Sequence, residues 1–171
     1  MFYLTDTESE RLKYRPLTRD DISLWTEFTS DPVSLKYFEN LKGTPEEIAE
    51  FWIIKQLKRY EDQEYGMCAL ISKDTEEFIG QAGLLKKLVD GQWEVEIGYS
   101  LLRKYTGKGY ATEAANHLKA YGFRNNFADS IISLIHVDNL PSQEVAKRNG
   151  MKEDKRIVTD GMDLIVFRTR L

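Results

Sequence analysis

A mixed α+β fold, with helices against a central twisted and mostly antiparallel sheet, is the class this sequence predicts, and three observations predict it. Three β-rich runs, "YGMCALIS", "EFIGQAGLLKKL" and "QWEVEIGYSLL", follow one another across the short breaks "KDTE" and "VDG", the pattern of an antiparallel meander. A helix-period segment then separates the third run from "SIISLIHV", a continuous apolar run suited to a strand buried on both faces, so this pair is expected to be parallel. Two further strands are expected around "EDKRIV" and "MDLIVFRTR", joined by Asp160-Gly161. With the remaining elements the total is about seven strands and about four helices.

In chain order, "RLKYRPL" alternates as a half-buried strand does, and "TRDDISLWTEF" sets Thr18 before Asp21 in the manner of a helix capping box. "SDPVSLKYFENLKG" reads as a short helix and a loop. Thr44, Pro45 and Glu47 then supply a cap, a proline at the first helical position and an acidic first turn before "EEIAEFWIIKQLKRY". After the meander, Ala111, Ala114, Ala115, Leu118 and Tyr121 recur at helical spacing, and a shorter helix, "SQEVAKRNG", closes on Gly150. There is no internal repeat, low-complexity tract or linker, and 171 residues suffice for one core, so residues 1–171 are expected to form a single domain.

The formal net charge of -4 argues against generic nucleic-acid binding, which needs a surplus of Lys and Arg, and favours an amine-bearing partner. Cys68 is the single cysteine, so no intrachain disulfide and no Cys/His metal pattern can be written, and its setting in "MCALI" reads as a buried core thiol. Acidic residues in "MFYLTDTESERLKYR" oppose a secretory signal, and no run approaches membrane-spanning length. The expectation is a cytoplasmic protein without a metal, monomeric or homodimeric.

The stretch "YTGKGYATEA" sets two glycines around a lysine just ahead of a helix. Helix-start amides lack internal partners and, with the helix dipole, favour an anion; a glycine loop adds amides without side chains in the way. Arg103, Lys104 and Lys108 give the stretch a basic field in an acidic chain. A glycine-bearing turn with solvated lysines is the plainer reading. A Walker loop would need Ser or Thr directly after Lys108, where Gly109 stands; a dinucleotide fingerprint would need a third glycine, which "GKGYAT" lacks.

Taken together, "EIGYSLLRKYTGKGYATEA", "HVDNLPSQEVAKRNGMK" downstream and "SERLKYRPLTRDD" upstream resemble the GNAT acetyltransferases, most closely the RimJ/RimL branch of ribosomal-protein N-terminal acetyltransferases. The resemblance covers nearly the whole chain and implies a GNAT-like fold whose parallel pair splays around acetyl-CoA. In that family Gln/Arg-x-x-Gly-x-Gly/Ala wraps the pyrophosphate; Gly109 and Ala111 match its last two fixed positions, while Thr106 departs from the first. The implied cofactor site comprises Tyr99, Ser100 and Leu101 on the splayed strand, Thr106, Gly107, Lys108, Gly109, Tyr110, Ala111 and Thr112 in the loop, and Asn139 and Ser142 beyond the partner strand. Asn139 and Ser142 flank Pro141 and would equally make an ordinary helix cap.

Acyl transfer to an amine needs a base, and Glu94 and Glu96 share one strand face where they could collect an ammonium and accept its proton. Glu96 matches the acidic residue common before "IGY" in the branch; ordinary solvent-facing charges are the competing account. Many GNAT enzymes protonate the leaving thiolate with a tyrosine, but Ala146 occupies the matching position, which leaves Ser142 or water. His117 and His136 are read as structural. The leading function is acetyl-CoA-dependent N-acetylation of a primary amine, at a peptide N-terminus or on a small molecule such as a polyamine or amino-sugar, chosen by residues between Asp31 and Tyr60 and by the last hairpin. A non-catalytic CoA-binding sensor or interaction module is the alternative.

Overall fold

The computed structural model describes Leu4 and residues 7–38 and 41–171. Its elements are β1 (Thr7–Glu8), β2 (Leu12–Arg15), α1 (Asp21–Thr29), α2 (Pro45–Glu61), β3 (Met67–Ser72), β4 (Phe78–Val89), β5 (Gln92–Leu101), α3 (Tyr110–Arg124), β6 (Ser130–His136), α4 (Leu140–Arg148), β7 (Lys152–Thr159) and β8 (Met162–Arg170). The strands form one sheet in the order β1-β2-β3-β4-β5-β6-β8-β7, antiparallel except between β5 and β6. Among the described residues no helix is long and apolar enough to cross a membrane.

The turn chemistry follows the residues. Asp90-Gly91 and Asp160-Gly161 all have positive φ (48°, 77°, 51° and 80°), as a two-residue hairpin turn matched to strand twist requires. Thr44 and Glu47 complete a reciprocal capping box at the start of α2. The expected box at α1 is only half made: the Asp21 carboxylate accepts from the Thr18 amide at 2.8 Å, but Thr18 does not cap in return, because α1 begins two residues later than that box requires, with Asp20 at the N-cap. Asp21 is fully buried and held by both terminal nitrogens of Arg15, at 2.7 and 2.8 Å. No helix forms in 31–38. The Asp31 side chain takes the Val33 amide and the Ser34 hydroxyl, which competes with helical pairing and leaves a run of turns. Glu39 and Asn40 of the same stretch lie outside the described residues.

One face of the sheet packs under α3. A Cβ on Gly122 would fall 2.9 Å from Ile131 Cδ1 and 3.3 Å from Leu84 Cδ1, so the missing side chain lets the helix close on β4 and β6. Strand alternation then places Leu85, Lys87, Glu94 and Glu96 on the opposite face. Against Phe78 at the start of β4, Trp25, Phe28, Trp52 and Phe38 pack ring on ring beside α1 and α2, with the Trp25 and Phe28 centroids 4.2 Å apart.

The feature that shapes the site is the fork between β5 and β6. Their parallel pairing is limited to Val95 with Ile131 and Glu96 with Ile132. Beyond it, Ile97–Leu101 stay with β4, while Ser133–His136 stay with β8. The buried Ser133 hydroxyl donates to the Ile97 carbonyl at 3.1 Å, tying the strands at the apex where backbone pairing stops.

Candidate active site

The glycine loop begins where β5 ends. Leu102 donates its amide to Ile79 and starts a 3-10 turn over Arg103–Tyr105, which Thr106 closes by giving both its amide and its hydroxyl to the Arg103 carbonyl. Thr106, the departure from the family pattern, thus terminates the turn. Gly107 and Gly109 follow with φ of 74° and 83°, a left-handed backbone that a residue with a Cβ adopts only at a cost. A Cβ at Gly107 would meet nothing within 4 Å, so the surface above it is open. The first hydrogen bond of α3 runs from the Glu113 amide to Gly109, leaving the amides of Tyr110, Ala111 and Thr112 without an acceptor inside the helix.

Of the three loop cations, two are engaged by α1 and its following turn. Lys104 pairs with Glu27 at 3.0 Å and Arg103 with Asp31 at 3.3 Å. Lys108 makes no ion pair among the described residues, its ammonium lying 5.4 Å from the Tyr105 ring centroid. A fourth cation, which sequence reasoning missed, stands beside it. Arg11 donates its amide and its Nε to the two oxygens of Glu113, each at 2.7 Å, and its Nη1 to the Lys108 carbonyl at 3.0 Å, while its guanidinium covers Tyr110. Burial disfavours the Glu113 charge, yet hydrogen bonds from Ser9 and Arg11 hold its carboxyl below the usual range.

At the other arm of the fork, Asn139 is the N-cap of α4, its side chain accepting from the Ser142 amide at 3.3 Å. Tyr99 reaches across from β5 and donates its hydroxyl to the Ser142 carbonyl at 3.1 Å; burial pushes its phenol up to about 12. Tyr99, Asn139 and Ser142 therefore meet, whereas Ser100 and Leu101 remain on β5 opposite Gln81 and Gly80. The Ser142 side chain lies within hydrogen-bonding reach of the Tyr99 hydroxyl, and Ala146 is buried on the same helix.

The two acidic candidates have different surroundings. Both oxygens of Glu94 accept from Arg168, at 2.7 and 2.9 Å, and Arg168 also holds Asp154 and the Ser130 hydroxyl. Glu96 lies at the fork apex, 8% exposed, with Oε2 buried and unpartnered. Burial pushes its carboxyl up, opposed by Lys87, the Leu134 amide and Arg59. Of the histidines, His117 bonds Thr7 and stacks on Tyr14, while His136 accepts from the Asp138 amide at the end of β6. Cys68 is fully buried.

Residues 11–152 match the acetyltransferase (GNAT) domain family. The chain belongs to that family. The GNAT chain is 31% identical over 156 residues to the uncharacterized protein YkkB of Bacillus subtilis strain 168, covering 90% of itself and 88% of that protein. An acetyltransferase from Agrobacterium tumefaciens C58 superposes with a TM-score of 0.82 at 26% identity, over 100% of this chain and 97% of that one. RimL, a ribosomal L7/L12 α-N-protein acetyltransferase solved with coenzyme A, shares the fold at 15% identity and a TM-score of 0.76, over 97% of each chain. The GNAT domain has the features a CoA-like molecule requires: free helix-start amides behind a loop that is open at Gly107 and flanked by Arg11 at Gly109 for phosphate oxygens, and strand edges parted by the fork for an amide-rich arm.

Proposed function

We propose that this GNAT domain transfers acetyl from acetyl-CoA to a primary amine by direct attack in a ternary complex, the amine being a peptide or protein N-terminus in the manner of the RimJ/RimL branch. Tyr110, Ala111 and Thr112 amides with Gly107, Lys108 and Gly109 hold the pyrophosphate; Tyr99, Ser100 and Leu101 line the arm. The fold shared with CoA-bound RimL supports this placement. Bound there, acetyl-CoA supplies the thioester.

The observation that carries the proposal is the buried, unpartnered carboxylate oxygen of Glu96 at the fork apex. As the amine nitrogen bonds the acyl carbon and the carbon–sulfur bond breaks, Glu96 takes the proton that the nitrogen sheds. Ser142 donates a hydrogen bond to the departing sulfur, which gains its proton from solvent. Glu94, tied to Arg168 through both oxygens, braces β5 against β8. An α-amine suits this arrangement because with a reference pKa of roughly 7.7–8.0 about one molecule in ten is neutral near pH 7, against under about one in a thousand for lysine.

The test is thiol release from acetyl-CoA against a panel of N-terminal peptides, spermidine and amino-sugars, with Glu96→Gln as control. Amine-dependent release that Glu96→Gln lowers at unchanged acetyl-CoA affinity is expected. Acetyl-CoA binding without release from any amine would overturn the proposal and make the fold a CoA-binding module.

A further inference from the structure

Lys87 and Arg59 act on Glu96, and Lys55 stands within reach of both. Lys55 and Arg59 stand one turn apart on α2, and the turn is pinned over the sheet because the Gln56 side-chain oxygen accepts both from the Met67 amide and from Arg59 Nη1, each at 3.0 Å. Lys87 lies on β4, on the face that Glu96 shares. Its direct cross-strand partner would be Glu94, but Arg168 occupies both oxygens of that carboxylate. Among the described residues Lys55, Arg59 and Lys87 make no ion pair; Lys55 has only the Phe51 ring, 5.9 Å away. Their proximity is felt: burial first, then Arg59 and Lys87, hold the Lys55 ammonium below its usual range.

This charge is separate from the phosphate-binding loop. Lys87 is level with Glu94, and Leu101, where the loop departs, lies seven steps further along the extended strand, a span of about 23 Å. An anion held by Lys87 is therefore not a phosphate gripped at the glycines. A polyamine or aminoglycoside would bring more positive charge into a field already positive, and the cost of such like-charge contact is what selects against wrong partners.

Resting on the transferase reading above, we infer that the acceptor carries an anionic group, a carboxylate or a phosphate, beside its amine, and that Lys55, Arg59 and Lys87 bind that group while the amine sits at Glu96. The cations also favour the neutral, nucleophilic form of an amine brought among them. Specificity in this enzyme is then set by charge around the acceptor and not by the glycine loop.

Matched tetrapeptides with a free N-terminus, differing only in Glu, Gln or Lys at the second and third positions, test the inference, together with glucosamine against glucosamine 6-phosphate and with spermidine. The Glu peptides, the sugar phosphate, or both should exceed their neutral counterparts in kcat/KM by about tenfold, and added salt should erase the preference. The two arms separate a peptide carboxylate from a small-molecule phosphate. Lys87→Glu, and independently Lys55→Glu, should reduce or invert the preference with acetyl-CoA affinity unchanged. Thiol release equal to or faster with Lys peptides and spermidine overturns the inference, as does a preference that both reversals leave intact. Calorimetry of the same acceptors on the acetyl-CoA complex keeps the two readings apart: charge-selective binding without thiol release would sink the transferase reading and support the anionic subsite.

Discussion

At Glu96 burial and neighbouring charge pull in opposite directions, and burial prevails, so the carboxyl titrates above its ordinary value. The folded state therefore holds this proton more tightly than the unfolded chain, and the stability the group contributes is present below about pH 4.3 and lost as pH rises through the folded value. Glu96→Gln should raise the melting temperature at neutral pH, with the gain vanishing in acid, while removing from the turnover profile the rise that follows Glu96 ionisation. Calorimetric melting and initial rates across the same pH series check both halves. Ser142 and Asn139 separate in a similar way. Because Asn139 supplies the cap, Asn139→Ala should lower stability by about 1 kcal/mol. Ser142→Ala should leave melting near the parent and slow turnover by tenfold to a hundredfold, about 1.4–2.7 kcal/mol of transition-state stabilisation. A lowered melting point with intact turnover in Ser142→Ala would make that serine structural. The sequence placed Glu94 and Glu96 on one face, which the strand register bears out. What distinguishes them, the Arg168 guanidinium, arrives from a strand 74 residues away and leaves no local spacing to read.

Among the elements, the junction of β2 with α3 deserves a test of its own. The left-handed glycines fix the path of the loop, and Arg11 fixes its distance from the helix by holding Lys108 and Glu113 at once. Arg11→Gln should weaken acetyl-CoA binding severalfold with little change in kcat at saturation, since the loop's amides would lose their brace while the fork chemistry stays. Isothermal titration and a KM-against-kcat comparison measure it. Gly109→Val is more severe. The left-handed φ of 83° alone costs a residue with a Cβ about 1–2 kcal/mol, and a Cβ there would lie 3.3 Å from Arg11 Nη2, so a β-branched side chain would press on the Arg11 clamp and affinity should fall by more than tenfold. Unchanged affinity in a folded variant would remove the loop from the site. The loop and helix were legible because glycine pairs and helix-start signals are local. The Arg11 clamp was not, because 102 residues separate it from Glu113 and an arginine in an alternating strand has no distinguishing mark.

For the molecule as a whole, the meander, the parallel crossover, the closing hairpin and the capped second helix could all be read from period and turn residues. The two-residue β1 was too short to show a period, and the Asp31 side-chain turns replaced a helix that composition alone allowed. The fork itself was expected from family resemblance, and its physical basis emerges from register: two residue pairs of parallel ladder join a five-stranded part to a three-stranded part. The sheet is thus mechanically two plates meeting at a narrow weld. Amide hydrogen exchange should find the inner edges of β5 and β6 beyond Glu96 faster than the edges that face β4 and β8. Acetyl-CoA at saturation should slow them selectively, and at a hundredfold excess over Kd it should add about 2.7 kcal/mol to global stability. A molecule lodged in such a cleft completes the sheet as a missing strand would, so acetyl-CoA, bound as proposed, would double as a splint between the half that carries Glu96 and the half that carries Ser142.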